Sequence, residues 1–190
     1  MTFAAYPSLA GRTVFVSGGA TGIGADIARA FARNHAHVAF VDVQRQEGEA
    51  VAAEVKGAGG EALFLRCDVT DVSALQAAIA EARAKLGPIA VLVNNAANDE
   101  RHAVADVTAE YWDHAQNVNL RHHFFAAQAV HPHMRELGFG SIINLSSIAW
   151  RGAAEMPAYA AAKAGIVGLT NALARAFGSD NIRVNAIEPG

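Results

Sequence analysis

The chain has 190 residues and a formal net charge of −3, enough for one substantial core and too few for two ordinary domains, so residues 1–190 read as a single domain. Nearly balanced charge leaves no electrostatic footprint for a nucleic acid or an anionic membrane as partner. Apolar residues make up 52%, yet no unbroken run of about 18 offers a membrane span, and no basic region followed by an apolar stretch marks a secretory leader. The single cysteine, Cys67, excludes an internal disulfide framework and suits a reducing compartment, so a cytoplasmic location is expected.

After a leading arm over 1–11, the apolar residues of 12–17 predict a strand that runs directly into a turn with glycines at 18, 22 and 24. A helix is expected over 22–34, because Ile23, Ile27 and Phe31 recur four apart on one face. Glycines at such a turn let the backbone bend sharply and lie close to a ligand, and the helix start offers free N–H groups to a pyrophosphate. The spacing is Gly-x3-Gly-x-Gly rather than Gly-x-Gly-x-x-Gly, and a glycine turn without a ligand is the competing reading.

A second strand, 38–41, is closed by Asp42, and a helix from Gln44 to Lys56 stops at Gly57 and the pair Gly59–Gly60. Ala62–Leu65 predicts a third strand that ends in Arg66–Cys67–Asp68–Val69. A third helix is expected over 71–86, with Leu75 and Ile79 four apart, ahead of Gly87–Pro88. Strand four is 89–93, followed by the polar loop Asn94–Asp99. A helical region is expected near 108–135. Strand five, 141–145, ends in Ser146 and Ser147; Pro157 fits the first turn of a helix reaching Phe177; strand six is 182–187.

Strands and helices alternate, and the strands read as apolar runs, as in a parallel sheet covered on both faces. The expected fold is a doubly wound α/β sheet of the Rossmann type. In such sheets ligands sit beyond the carboxyl ends of the strands, where Gly18–Gly24, Asp42, Asp68, Asn94–Ala97, Ser146–Ser147 and Pro189–Gly190 all fall.

Asp42 follows Gly18 by 24 positions, and a carboxylate there would accept hydrogen bonds from a ribose diol and repel a 2′-phosphate, favouring NAD over NADP. A solvated loop aspartate is the alternative. Asp68 is suited to an adenine amino group or, equally, to capping the next helix. Tyr159 and Lys163 lie four apart on one helix face, where a lysine ammonium would favour the phenolate and create an acid/base near neutral pH. A serine at the neighbouring strand end would hold a substrate oxygen. Asn119 lies in a predicted helix, where asparagine is a weak helix former, so its side chain or a local opening is a candidate water site. Neither His131 and His133 nor His122 and His123 place both rings on one helix face, and no coherent metal cluster emerges from the eight histidines, so packing or surface roles and no metal are expected.

Taken together, these motifs resemble the classical short-chain dehydrogenase/reductase family over essentially the whole chain. Its glycine motif falls on Ser17, Gly18, Gly22 and Gly24, its strand-four motif on Asn94–Ala97, its asparagine on Asn119, its Tyr-x3-Lys pair on Tyr159 and Lys163, and its Pro-Gly on Pro189–Gly190. The resemblance implies Tyr159 as acid/base, Lys163 as the residue that lowers its pKa and holds the nicotinamide ribose, and Asn119 as support for a water-linked proton relay. It implies Ser147 as the serine that positions substrate, with Ser146 in reserve because the loop to Tyr159 is one residue short. The implied NAD contacts are Gly18, Thr21, Gly22, Ile23, Gly24, Asp42, Asp68, Val69, Asn95, Ala96, Ala97, Tyr159, Lys163, Pro189 and Gly190. Ala97 replaces the motif's glycine. Members usually continue well beyond the Pro-Gly, so the sequence is expected to lack a C-terminal segment.

Tyr6–Leu9, Asn98–His102, Asn117–His122 and Trp150 resemble the members that oxidise aldoses, those of the D-xylose 1-dehydrogenase type above all. That resemblance implies oxidation of a cyclic aldose at C1 to the lactone, with Asn98, Asp99, Ser147, Trp150 and Tyr159 at the substrate. A carbonyl reductase or alcohol dehydrogenase for a non-sugar substrate, and a non-catalytic NAD-binding scaffold, are the alternatives. Family members usually assemble, so a homo-tetramer or homo-dimer is expected, with Phe124–Ala127 and Ala172, Leu173, Ala176 and Phe177 on helices that would pack across two-fold axes.

Overall fold

The computed structural model describes residues 4–190, so the first residues of the leading arm lie outside the described part. The elements are β1 (Thr13–Ser17), α1 (Gly22–Arg33), β2 (His37–Asp42), α2 (Arg45–Gly57), β3 (Glu61–Arg66), α3 (Val72–Leu86), β4 (Ile89–Asn94), α4 (Ala109–Gln116), α5 (His122–Leu137), β5 (Gly140–Leu145), α6 (Pro157–Phe177) and β6 (Ile182–Ile187). The six strands form one sheet in the order β3-β2-β1-β4-β5-β6. Each neighbouring pair runs parallel, because a helix carries the chain back between strands.

Alternate residues of the central strands feed two cores. Val14 and Val16 meet Ala25 and Ala28 of α1 and Val51 and Val55 of α2 on one face. Phe15 and Leu92 meet Leu75 and Ile79 of α3, Ala126 and Val130 of α5 and Leu173 of α6 on the other. α2 approaches β3 closely: a Cβ at Gly48 would collide with the Phe64 ring, which itself lies 5.4 Å from the Phe40 ring between centroids.

Several elements differ from the sequence-based expectation. β3 extends to Glu61–Arg66 because it pairs with β2 residue for residue, from His37 with Glu61 to Asp42 with Arg66. β6 is not a doubly covered apolar run: Ile182 and Val184 are buried while Arg183 and Asn185 are exposed. The helical region near 108–135 is three segments. α4 ends at Gln116, Asn117–Arg121 wind as a π-helix, and α5 continues to Leu137 through Pro132. Ala126, Ala127 and Leu173, which the sequence suggests for an inter-subunit surface, lie instead in the core, whereas Phe124 is exposed. Among the histidines, His122, His123 and His133 are buried, and His131 stacks on Phe177 and pairs with Asp180 at 2.7 Å.

Ile142 sits fully buried in β5. Ile142→Ala is expected to destabilise the fold by about 2–5 kcal/mol through lost burial and the cavity left behind. Urea unfolding would show this as a lower midpoint at unchanged m-value.

Candidate active site

The site forms where strand order reverses between β1 and β4, the crevice that open α/β sheets use for ligands. Two turns are tied together there. Ser17 Oγ accepts hydrogen bonds from Asn95 N at 3.0 Å and Ala96 N at 3.1 Å, and Asn95 Nδ2 donates to Ser17 O at 3.2 Å and Gly18 O at 2.8 Å. Above them lies a crevice of about 510 Å³. The glycine turn, Asp42, Asp68–Val69, Asn95–Ala97, Asp99, Ser146–Ser147, Tyr159, Lys163 and Pro189 all line it.

The glycines have separable reasons. Gly18 adopts φ +69°, and a Cβ on it would stand 2.7 Å from Ala96 Cα. At Gly24 a Cβ would fall on the Gly18 carbonyl oxygen, so a side chain there would push α1 off the turn. Gly22, at φ +51°, has nothing within 4 Å of such a Cβ, so its backbone conformation rather than crowding calls for glycine. Gly22, Ile23 and Gly24 put the first turn of α1, whose N–H groups a helix leaves without intrahelical partners, on the crevice wall.

Asp42 is buried rather than solvated. Its Oδ2 accepts from Ala20 N and its Oδ1 from Gln44 N, both at 3.1 Å, so the carboxylate braces the glycine turn from the end of β2. Asp68 forms a local turn, accepting from Thr70 N at 2.9 Å and Thr70 Oγ1 at 2.8 Å; the helix cap expected of it belongs to Asp71, which accepts from Ala74 N at 3.0 Å. A close-packed glycine cradle on a helix N-terminus, with a fixed carboxylate beside it, fits a dinucleotide: the cradle suits the pyrophosphate and the carboxylate a ribose diol.

At the other end of the crevice, α6 presents Tyr159 and Lys163. Lys163 is buried; its Nζ donates to Leu145 O at 2.7 Å and lies 5.2 Å from the centre of the Tyr159 ring. Burial pushes the Lys163 pKa down to about 8, against the pull of Asp99. Burial also raises the Tyr159 phenol above its ordinary range; the Ser147 hydroxyl opposes this and Asp99 adds to it. The sequence-based expectation of a phenol lowered by lysine is thus not met by the protein's own groups, because desolvation outweighs them. The two serines differ: Ser146 is buried with its Oγ donating to Lys163 O at 2.8 Å, whereas Ser147 faces Tyr159 and its Oγ accepts from Ala149 N at 3.1 Å.

Four sequence-predicted residues stand apart from the crevice wall. Asn119 lies behind it, in the π-helical turn. Its Oδ1 accepts from Asn98 N at 2.8 Å, and its Nδ2 donates to Asn98 O and Ala115 O, both at 3.0 Å. Asn98 turns its own Oδ1 to Glu100 N at 3.1 Å. Trp150 is exposed, with the Arg151 guanidinium 5.1 Å from its ring centre. Gly190 follows the lining residue Pro189. Conversely, Val43, Gln44, Cys67, Val118 and Leu145 line the crevice without having been singled out; the first three lie within two residues of Asp42 or Asp68, a proximity that would have pointed to them. No cluster of metal-ligating side chains occurs among the described residues.

The short chain dehydrogenase family model matches residues 12–190. The chain is 53% identical over 187 residues to the "Probable galactose dehydrogenase" of Rhizobium meliloti (strain 1021), covering 97% of this chain and 73% of that protein. It is 47% identical over 191 residues to the D-xylose 1-dehydrogenase of Caulobacter vibrioides (strain NA1000 / CB15N), covering 100% of this chain and 75% of that protein. A crystal structure described as a "putative short-chain alcohol dehydrogenase from Sinorhizobium meliloti 1021" superposes with a TM-score of 0.91 at 38% identity, over 96% of this chain and 73% of that one. The chain belongs to the short-chain dehydrogenase family and, by that membership, is an NAD(P)-dependent oxidoreductase.

Proposed function

We propose that the protein oxidises C1 of a cyclic aldose to the lactone, with NAD as the preferred cofactor. The observation that carries the reading is the meeting of Ser147, Tyr159, Lys163 and the Asp99 carboxylate at one end of a dinucleotide-shaped crevice. The sugar assignment draws support from the similarity to the galactose and D-xylose dehydrogenases.

When bound, the nicotinamide supplies the acceptor for the C1 hydride. In this reading Ser147 and Tyr159 hold the C1 hydroxyl, and Tyr159 takes its proton. Lys163 places positive charge 5.2 Å from the ring centre and so favours the phenolate that this step needs. Asp99 is exposed at the crevice mouth, where a carboxylate is a strong acceptor for further sugar hydroxyls. Asn119, whose amide is bonded to backbone on both sides, holds the Asn98 end of the substrate loop in register. Asp42 supplies the preference for NAD, since a 2′-phosphate would meet its buried carboxylate. The exposed faces of α4, α5 and α6 are the proposed contacts of a homo-dimer or homo-tetramer.

A screen of NAD reduction across pentoses, hexoses and non-sugar alcohols tests the substrate class; turnover confined to the alcohols would overturn it. Tyr159→Phe keeps the ring and is expected to lower kcat by about 100-fold or more, with NAD affinity little changed. Ser147→Ala should cost more activity than Ser146→Ala. Asp42→Ala is expected to erase a preference for NAD over NADP of about tenfold or more, read by titration of both nucleotides. Light scattering at micromolar concentration should give the mass of a dimer or tetramer.

A further inference from the structure

We infer that His102 is a positioning residue, a clamp that joins the loop carrying Asp99 to the first turn of the helix carrying Tyr159 and Lys163. The inference rests on the proposed roles of those groups at the substrate. His102 does not line the crevice, so any effect on the reaction passes through residues that do.

α6 starts at Pro157 without a capping side chain of its own, since Met156 in the cap position makes no such bond. The N–H of Ala158, in the first turn, donates instead to His102 Nε2 at 3.4 Å. The His102 backbone N–H donates to Glu155 O at 2.8 Å, so main chain and ring both hold the helix start. An Nε2 that accepts leaves the ring proton on Nδ1, which lies 2.8 Å from Tyr111 Oη and 3.0 Å from Glu100 O. Tyr111 of α4 packs edge-on against the imidazole, with 4.8 Å between ring centres. From the end of the same helix, Gln116 Nε2 donates to Ala158 O at 3.0 Å. α4 therefore grips the residue next to Tyr159 directly through Gln116 and indirectly through Tyr111 and His102.

The other end of the loop is anchored by Asn119, which bonds both the N–H and the carbonyl of Asn98. Asp99 thus lies between two fixed points, Asn98 on the π-helical turn and His102 on the start of α6. Its carboxylate is close enough to Tyr159 and Lys163 to shift both. The Arg101–Glu155 pair, at 3.8 Å between exposed groups, adds little to this tie. Loss of the His102 clamp would free the Asp99 loop to move relative to Tyr159 while leaving the glycine turn and Asp42, at the far end of the crevice, untouched.

His102→Ala, His102→Gln and Tyr111→Phe in the intact protein test this. The readouts are aldose KM and kcat, NAD affinity, and hydrogen–deuterium exchange over 155–160. His102→Ala is expected to raise KM for the aldose turned over by wild type by about tenfold, with NAD affinity within about twofold, and to speed amide exchange at Ala158. In His102→Gln the side-chain oxygen can accept from Ala158 N, so KM and exchange should return most of the way to wild type; Tyr111→Phe should fall between. If His102→Ala proves poorly folded, the last two variants decide. Unchanged KM and exchange, or a glutamine variant as impaired as the alanine one, would overturn the clamp. If Tyr159→Phe kept full turnover, the catalytic reading would fall instead, and exchange at Ala158 alone would still decide whether His102 holds the helix.

Discussion

One set of hydrogen bonds, between the turn after β1 and the turn after β4, holds the crevice open at the reversal of strand order. Ser17, Asn94 and Asn144 occupy one row across β1, β4 and β5, so the side chains that meet are fixed by the register of the parallel strands. Ser17 turns its oxygen to two backbone N–H groups of the next turn, and Asn95 returns two bonds to the carbonyls of the first. The close contact of Gly18 with Ala96 and of Gly24 with Gly18 follows from that tie. A side chain at Gly18 would push the first turn off Ala96, and one at Gly24 would push α1 off Gly18.

This row continues into a band of buried polar groups. Asn94 Nδ2 donates to Asn144 Oδ1, and Asn144 Nδ2 donates to Thr170 Oγ1, both at 2.9 Å, a chain of bonds running from β4 through β5 to α6. His122 and His123 lie fully buried alongside; desolvation pushes the His122 pKa down to about 3 and that of His123 well below its ordinary value, so both rings are neutral at physiological pH. Neutral groups of this kind cost less to bury than charges would, although Asn94 Oδ1 and His123 Nε2 are buried without a hydrogen-bond partner among the described residues. Lys163 is the one charged exception in this layer among the described residues, and a carbonyl at the end of β5 receives it.

Much of this was legible in the sequence, for reasons that are local. Apolar runs ending in Asp42, Asp68, Asn94 and Ser147 placed the strand ends, and the four-residue step from Tyr159 to Lys163 placed both on one side of a helix. What escaped depends on contacts between distant segments. Nothing near Asn119 in sequence reveals that its amide is spoken for by Asn98, and nothing around Asp68 reveals that Asp71 caps the helix. Periodicity read α4 and α5 as one region, because the i→i+5 bonds that mark a π-helical turn leave no signature in the residue types. The proximity of Tyr159 to a cation can be read from spacing, but the burial that raises its phenol pKa cannot.

That π-helical turn also sets the rotation of α5. An α-helix advances about 100° per residue, so one residue more or fewer between α4 and α5 would swing every later side chain by roughly that angle. Ala126, Ala127, Val130 and Met134, now fully buried on the sheet, would turn toward water, and the intervening polar positions would face Leu92 and Ile142. Asn119 apart, whose amide holds Asn98 and Ala115, substitutions within Asn117–Arg121 act locally, whereas a single insertion or deletion there would dephase an entire helix. Outside Asn119, this short segment should therefore accept changes of residue type far more readily than changes of length.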